Sequence, residues 1–360
     1  MTDATPSEII VGSGLNCVAQ DEDWLDPRGR TQIARRTRGP SFRGIRKPMR
    51  ILVTGSSGWL GQTLVPWLSG RGHQVIGLDP VPSNHTQIVG SVTNRELVHL
   101  AVREFGVDSI IHAGALHKPN IETRRPSDFV TVNVQGTLNL LEEAVGPGSK
   151  VDRFIFTSTT SLMISREIRA GTSGGPKKAV WITEEMAPLL PRNIYGVTKL
   201  SAEHLCRLFH ELHGLPVVIL RTSRFFPEED DMAHMIVQSE QNTKANEFLF
   251  RRLTVEDAAD SHVVALAKAP ELGFDTFIIS ARTPFSRDDC GHLIADAPSV
   301  VARYFPEFPE LYARAGWTMF QTIDRVYDSS RALRRLGFQC RVGFKEKLEE
   351  LRKQFDLRAS

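Results

Sequence analysis

Leu52-Val53-Thr54-Gly55-Ser56-Ser57-Gly58-Trp59-Leu60-Gly61 is the stretch that decides how this chain folds. Ile51 to Val53 form a short apolar run of the kind a sheet buries, and three glycines then open a helical pattern. Gly55 and Gly58 permit a tight turn and a close backbone approach to a pyrophosphate, while Gly61 lets helix and strand pack closely. The first N–H groups of such a helix lack partners within it and favour an anion. Glycines crowd into turns for many reasons, so three alone carry little weight. Their place between a strand and a helix is what a dinucleotide fingerprint requires. The spacing is Gly-x-x-Gly-x-x-Gly, one residue wider than the simplest form, and the expected cofactor contacts are Gly55, Ser57, Gly58, Trp59, Leu60 and Gly61.

Asp79 supports the same reading. It ends a second apolar run, His73 to Leu78, about 20 residues beyond the glycines, where an acid accepts hydrogen bonds from the adenosine ribose. A carboxylate there repels a 2′-phosphate, and no arginine follows at once to pair with one, so NAD is expected over NADP. Asp-Pro is also a common turn cap, and that plainer use stays open at this point.

Outward from here, short apolar runs alternate with amphipathic segments, the pattern of a parallel sheet covered on both faces. Strands are predicted at 51–54, 74–78, 109–113, 153–157 and 217–221, with a short one at Ile88-Val89 and another at 276–280. Helical spacing joins Val130, Val134, Leu138, Leu141 and Val145, and also Leu205, Leu208, Phe209 and Leu212. A return helix is expected over Arg251 to Lys268 and another over Asp328 to Leu336, and Pro66 is expected to kink the first helix. The fold class is therefore α/β: a doubly wound, Rossmann-type parallel sheet with a smaller C-terminal substrate lobe. The expected division gives 49–221 plus about 251–270 to the cofactor domain, and 222–250 plus about 271–360 to the lobe. Polar and glycine-rich residues cluster at the strand ends: Gly55, Asp79, His112-Ala113-Gly114-Ala115, Ser158-Thr159 and Arg224. In an open parallel sheet the ligand crevice lies at that edge.

Composition narrows the function classes. Lys and Arg number 44 against 42 Asp and Glu, so no global charge points to nucleic acid or membrane. No apolar run approaches the roughly 18 residues of a membrane span, and the scattered cysteines 17, 206, 290 and 340 show no metal or disulfide spacing. A cytoplasmic location is expected. Residues 27–50 carry nine basic residues, Arg28 to Arg50, and no acid, whereas the first 26 carry acids and no base. With no periodicity, residues 1–48 are expected to be disordered, as a basic interaction tail or a passive extension.

Tyr195-Gly-Val-Thr-Lys199 places a phenol and an ammonium on one helix face. A free tyrosine titrates near pH 10, and an adjacent cation stabilises the phenolate and lowers that value. Such a tyrosine can take a hydroxyl proton while hydride leaves the same carbon. The pair alone is usually a surface feature, and the dinucleotide fingerprint with Phe154-Ile-Phe-Thr-Ser-Thr-Thr-Ser161 before it gives it weight. One hydroxyl of that strand end is expected to hold the reacting oxygen. His210 and His213 sit three apart on a helix without a third ligand and are read as a solvated face, so no metal is expected.

Thr54-Gly55-Ser-Ser-Gly58-Trp-Leu-Gly61, Asp79, His112-Ala-Gly-Ala, Asn133-Val-Gln-Gly-Thr137, Thr157-Ser-Thr159 and Tyr195-x-x-x-Lys199 occur in one order. In that order the chain resembles the extended short-chain dehydrogenase/reductases, of the NAD-dependent epimerase/dehydratase type related to UDP-glucose 4-epimerases. The likeness covers nearly everything from Met49 onward. It implies Tyr195 as acid/base, Lys199 on the cofactor ribose, Thr159 with Ser158 next as the catalytic hydroxyl, and Asn133 as an organiser of the site. It also implies cofactor contacts from Ala113, Gly114, Ala115 and Lys199, and a homodimer through the helices carrying Asn133 and Tyr195. The chain departs from the family at defined places. Thr160-Ser161 replaces the acids of the dehydratases, so dehydration is not expected. Gly90-Ser91 replaces a Gly-Asp, Arg224 replaces an asparagine, and Phe250 stands where an arginine is usual.

The substrate is expected to be a small molecule, anionic or sugar-derived, with His117, Lys118 and Arg224 as candidate contacts. A basic loop with Arg166, Arg169, Lys177 and Lys178 is read either as a lid over an anion or as a solvated loop. The leading function is an NAD-dependent epimerase or dehydrogenase at a secondary alcohol of a sugar or nucleotide-sugar-like substrate. A one-way reductase or dehydrogenase of a smaller, non-nucleotide substrate is the alternative. A protein that only senses NAD is the third reading; relatives of that kind generally lack the tyrosine, which sets catalysis ahead.

Overall fold

The computed structural model describes residues 47–170, 174–226 and 238–359. The expectation for residues 1–48 falls, up to residue 46, outside the described residues. Seven parallel strands build the main sheet: β1 (Arg50–Thr54), β2 (Gln74–Asp79), β3 (Ile88–Val89), β4 (Ser109–His112), β5 (Phe154–Thr159), β7 (Val217–Thr222) and β8 (Phe274–Ile279). Their spatial order is β3-β2-β1-β4-β5-β7-β8. All adjacent pairs are parallel, and β1 and β4 flank the point where the order reverses. That switch point is where doubly wound sheets receive ligands. The central strands are apolar throughout because helices cover both faces: β4 is fully buried, and Ile51 to Val53 are 0% exposed.

α1 (Trp59–Ser69) follows the glycine turn, and α2 (Arg95–Arg103) is capped by the Asn94 side chain on Leu97 N–H. A π-type turn, Val130–Gln135, leads into α3 (Gly136–Val145). α4 (Arg166–Ala170) is short; α5 (Ile194–His213) starts on an Asn193 cap and stops at left-handed Gly214. α6 (Glu240–Glu247) and α7 (Val255–Leu272) precede β8. Three short helices, α8 (Cys290–Ala295), α9 (Ala297–Tyr304) and α10 (Phe308–Ala315), and the terminal α11 (Phe344–Ala359) complete the chain. A second sheet of two parallel strands joins β6 (Val180–Ile182) to β9 (Arg325–Tyr327).

Apolar side chains separate into distinct cores. One, with Leu52, Ile110, Phe154, Phe156 and Ala202, lies between the main sheet and α2, α3 and α5. A phenylalanine-rich core, including Phe248, Phe250, Phe308, Phe320 and Phe344, holds the helices after β8. One boundary differs from expectation. β8 extends the main sheet beyond β7, so residues 274–279 belong with the cofactor half rather than the lobe expected from 271. α1 runs from Trp59 to Ser69 with Pro66 inside its last turn. Asp328 to Leu336 is helical over 330–336, with Ala332–Leu336 forming a π-type turn.

Candidate functional site

Gly55 has φ of +75°, and a Cβ there would lie 2.7 Å from the Gly114 nitrogen. The ends of β1 and β4 therefore touch backbone to backbone, which only glycine allows. A Cβ on Gly61 would lie 2.2 Å from the Gly55 oxygen, so α1 rests directly on the turn. Gly58 precedes α1 with no side-chain cap, and no acid stands in its first turn. The helix start is left to its backbone N–H groups, suited to an anion.

A buried relay links this turn to the central helix. Gly114 N–H donates to the Thr54 hydroxyl (3.1 Å), which contacts His112 Nδ1 at 2.6 Å. On the other ring edge, His112 Nε2 lies 3.0 Å from Thr137 Oγ1, whose proton goes to the Asn133 carbonyl at 2.6 Å. With Thr137 already donating, Nε2 carries the ring proton and Nδ1 accepts from Thr54, so every partner is satisfied with His112 neutral. Burial, then the Lys199 charge, lowers its pKa well below the usual histidine range. The Asn133 side chain accepts from Leu116 N–H (2.8 Å) and donates to the Leu116 carbonyl (2.9 Å) and to Thr198 Oγ1 (3.1 Å). Asn133 thus ties the loop after β4 to the turn of α5 that carries Tyr195 and Lys199.

A cavity of about 520 Å³ runs along the strand ends from Gly55, Gly58, Trp59, Leu60 and Asp79, past Ala113, Gly114 and Ala115, to Ser158, Tyr195 and Lys199. Ser57 and Gly61 do not line it. The Ser57 hydroxyl is held to the Val81 carbonyl and to Ser83 and Thr86, while Gly61 faces the turn. The Asp79 carboxylate lines the cavity and also accepts from Ser57 N–H (3.2 Å) and Val81 N–H (2.8 Å). It is a turn cap and a cavity wall at once.

Lys199 is buried, with its ammonium 3.9 Å from the Phe156 ring centroid. Burial drives its pKa down to about 7, against support from Cys206 and Glu203. Burial also keeps the Cys206 thiol protonated, so the Glu203 carboxylate supplies that support. Glu203, one turn further along α5, receives Arg221 from β7 through Nη2 (2.7 Å) and Nε (3.0 Å), and the Ser158 hydroxyl at 2.6 Å. Ser158 is thereby committed to Glu203. Thr159 instead accepts Ser161 N–H at 3.1 Å, which leaves its proton for another acceptor.

A second cavity, of about 120 Å³, shares Tyr195 with the first. Thr159, His117, Lys118 and Arg224 line it, as do Arg169 of the basic loop and Arg192, Arg251 and Arg325, the last three unassigned by sequence reasoning. Arg224 is bonded to Glu247 (3.0 Å), whose fully buried carboxylate also meets Arg251 (2.9 Å) and Arg252 (2.7 Å). Burial opposes ionisation of Glu247, but the three guanidiniums outweigh it and hold its pKa below the ordinary value. Lys177 and Lys178 are exposed and line neither cavity, and of that basic set Arg169 reaches the smaller one. His210 is half-buried rather than solvated, its Nδ1 2.8 Å from the Leu215 carbonyl.

Residues 51–273 match the model of the NAD dependent epimerase/dehydratase family. Among curated proteins, the chain is 32% identical to a low-salt glycan biosynthesis protein, Agl12, of Haloferax volcanii, over 49% of this chain and 57% of that one. It is 31% identical to a UDP-glucose 4-epimerase of Halalkalibacterium halodurans, over 48% of this chain and 50% of that one. The chain thus spans about half the length of the curated relatives it matches. Among solved structures, a short-chain dehydrogenase/reductase superfamily protein from Agrobacterium tumefaciens with bound NAD superposes with a TM-score of 0.58 and 23% identity. That match covers 86% of this chain and 99% of the other.

Proposed function

From the premise that this chain belongs to the NAD dependent epimerase/dehydratase family, we propose that it is an NAD-dependent epimerase or oxidoreductase. In this proposal it acts at a secondary alcohol or ketone of a sugar or sugar derivative. The observation that carries the reading is Tyr195, which lines both the long cavity behind the glycine turn and the small polar cavity beside it. The long cavity suits NAD: a glycine cradle that a Cβ would fill, an uncapped helix start for the pyrophosphate, and the Asp79 carboxylate for the adenosine ribose. When bound, NAD supplies the hydride acceptor.

The remaining chemistry belongs to the chain. Tyr195 takes the proton of the substrate hydroxyl, and the Lys199 ammonium stabilises the phenolate and binds the cofactor ribose. Thr159 donates a hydrogen bond to the reacting oxygen and aims it at Tyr195, a role that Ser158 leaves to it by bonding Glu203. Asn133 holds the two halves of the site in register. The division into a cofactor half, now including β8, and a smaller substrate lobe is part of the proposal. So are a cytoplasmic location and a homodimer. Among the described residues no helix is long and apolar enough to cross a membrane. Exposed Val197, Leu208 and Leu212 form an apolar stripe on α5, with Val130 also exposed before α3, and such a stripe suits a paired copy. A second reading, one-way oxidation or reduction of a compact substrate, is favoured by the small volume of the cavity beside Tyr195.

Substituting Tyr195→Phe is expected to lower turnover by at least a hundredfold while NAD affinity, measured by titration calorimetry, stays within a few fold. Turnover retained in that variant overturns the assignment of Tyr195.

A further inference from the structure

We propose that the adenine of the cofactor is read by Asp128, whose carboxylate accepts the exocyclic amine, and by Ser91, whose hydroxyl donates to a ring nitrogen. The inference rests on the cofactor reading above and adds two residues that set which base the site takes.

Among the described residues two carboxylates line the long cavity, Asp79 and Asp128. Asp79 ends β2 and is given to the ribose. Beyond it, on the side of the sheet away from Tyr195, the lining comes from the loop after β3 and the approach to α3. β3 pairs with β2 so that Val89 meets Asp79, and Gly90 N–H donates to the Asp79 carbonyl at 2.9 Å. Ser91 therefore follows directly beside the ribose position. The Asn139 side chain of α3 donates to the Val92 carbonyl (2.9 Å) and the Thr93 carbonyl (3.3 Å). A Cβ on Gly136 would lie 2.4 Å from Val92 Cγ2, so this loop packs on the start of α3. The short helix Pro126–Phe129, which carries Asp128, runs into α3 through the π-type turn. Ser91 and Asp128 thus line one end of one cavity from two elements.

What the two side chains have left to offer differs. Thr93 gives both its N–H (3.2 Å) and its O–H (2.9 Å) to Ser91 Oγ. A hydroxyl has two lone pairs and one proton, so Ser91 is left with its proton to donate. Asp128 uses Oδ2 to accept Arg125 N–H at 3.1 Å, and no described residue forms an ion pair with it. An ionised carboxylate has roughly four acceptor sites, so most of its capacity remains, all of it for donors. Adenine matches this pair: its amine donates, and the ring nitrogens on either side of that amine accept. Hypoxanthine reverses the match at the amine position, where its carbonyl oxygen meets the carboxylate. Two facing acceptors leave both without a partner, and a site built for a donor rejects such an analogue. Val92 and Val132, also in the lining, add apolar surface suited to a planar ring.

The test is calorimetric titration of the full chain with NAD and with nicotinamide hypoxanthine dinucleotide, in which a carbonyl replaces the amine. NAD is expected to bind at least tenfold tighter. Asp128→Asn keeps an acceptor for Arg125 N–H and adds donors that a carbonyl can use, so the preference is expected to shrink below threefold. A merely structural role for Asp128 lowers both affinities alike and preserves their ratio, and that result overturns its assignment. Ser91→Ala is expected to weaken NAD binding at least threefold, and an unchanged affinity overturns the role of Ser91. Equal affinity of the unmodified chain for the two dinucleotides overturns the proposal while leaving the cofactor reading intact. Absence of NAD binding by the unmodified chain is a different failure, that of the cofactor reading itself, and it takes this proposal with it.

Discussion

The Glu203–Arg221 pair is where a single atom change has its largest calculable consequence. Glu203→Gln removes the charge from a carboxylate that accepts three hydrogen bonds from Arg221 and one from Ser158, with side chains only 4% and 8% exposed. Arg221 remains charged in both folded and unfolded chains, so the variant buries an uncompensated guanidinium. Breaking a buried pair from one side costs about 3–5 kcal/mol, a large share of the roughly 5–15 kcal/mol that holds a typical fold. At about 2 °C per kcal/mol for a domain of this size, the melting temperature is expected to fall by about 6–10 °C. Lys199 also loses its nearby carboxylate, so its pKa moves below about 7 and the ammonium discharges at neutral pH. NAD affinity is therefore expected to drop in the variant and to recover as pH is lowered. The assay pairs thermal unfolding with NAD titration, and adds the double variant Glu203→Leu, Arg221→Met. Removing both charges is expected to restore most of the stability, because an apolar pair needs no compensation, while NAD affinity stays low. A melting temperature within 2 °C of the parent for Glu203→Gln, or a double variant no more stable than the single, refutes the reasoning.

Other consequences follow from the same geometry. Gly61→Ala places a Cβ 2.2 Å from the Gly55 oxygen and 2.6 Å from Ser56 Cα, both backbone, so α1 must shift from the turn. A stability loss of about 1–3 kcal/mol and at least tenfold weaker NAD binding are expected, read by urea unfolding and calorimetry. Stability is also expected to fall on mild acidification. Burial lowers His262 to about 4, although its bond to the Ala258 carbonyl acts the other way, and burial lowers His112 as well. Between about 4 and 6.5 the unfolded chain binds protons that the folded chain refuses, so stability drops as pH falls through that window. The slope approaches about 1.4 kcal/mol per pH unit for each histidine. Lys199, protonated in both states well below 7, adds little slope there. Equal urea midpoints at pH 7.5 and 5.0 contradict this.

The parts of the site legible in the sequence are those set by neighbours along the chain. The glycine turn, Asp79 and the Tyr195–Lys199 spacing all lie on one strand end or one helix face, where local geometry dictates position. A motif names residues but not the face each presents: the Ser57 hydroxyl bonds the Val81 carbonyl, and Gly61 packs on the turn. Glu203 and Arg221 meet only because α5 packs on β7, and nothing in their 18-residue separation signals it. Arg224 was legible at a strand end, but the other arginines beside Tyr195 come from α4, the approach to α5, the segment after α6 and β9, so no spacing could have gathered them. Glu247 was the available clue: an acid four and five residues before Arg251 and Arg252, ending a helix poor in apolar residues.

In the proposed function the glycine turn and Asp79 hold NAD at the sheet's switch point, next to Tyr195. Calorimetric titration of the nucleotide-free full chain with NAD and with NADP tests it most directly. Saturable binding of NAD at one site per chain and at least tenfold weaker binding of NADP are expected. No binding of either nucleotide, or equal affinity for both, contradicts it.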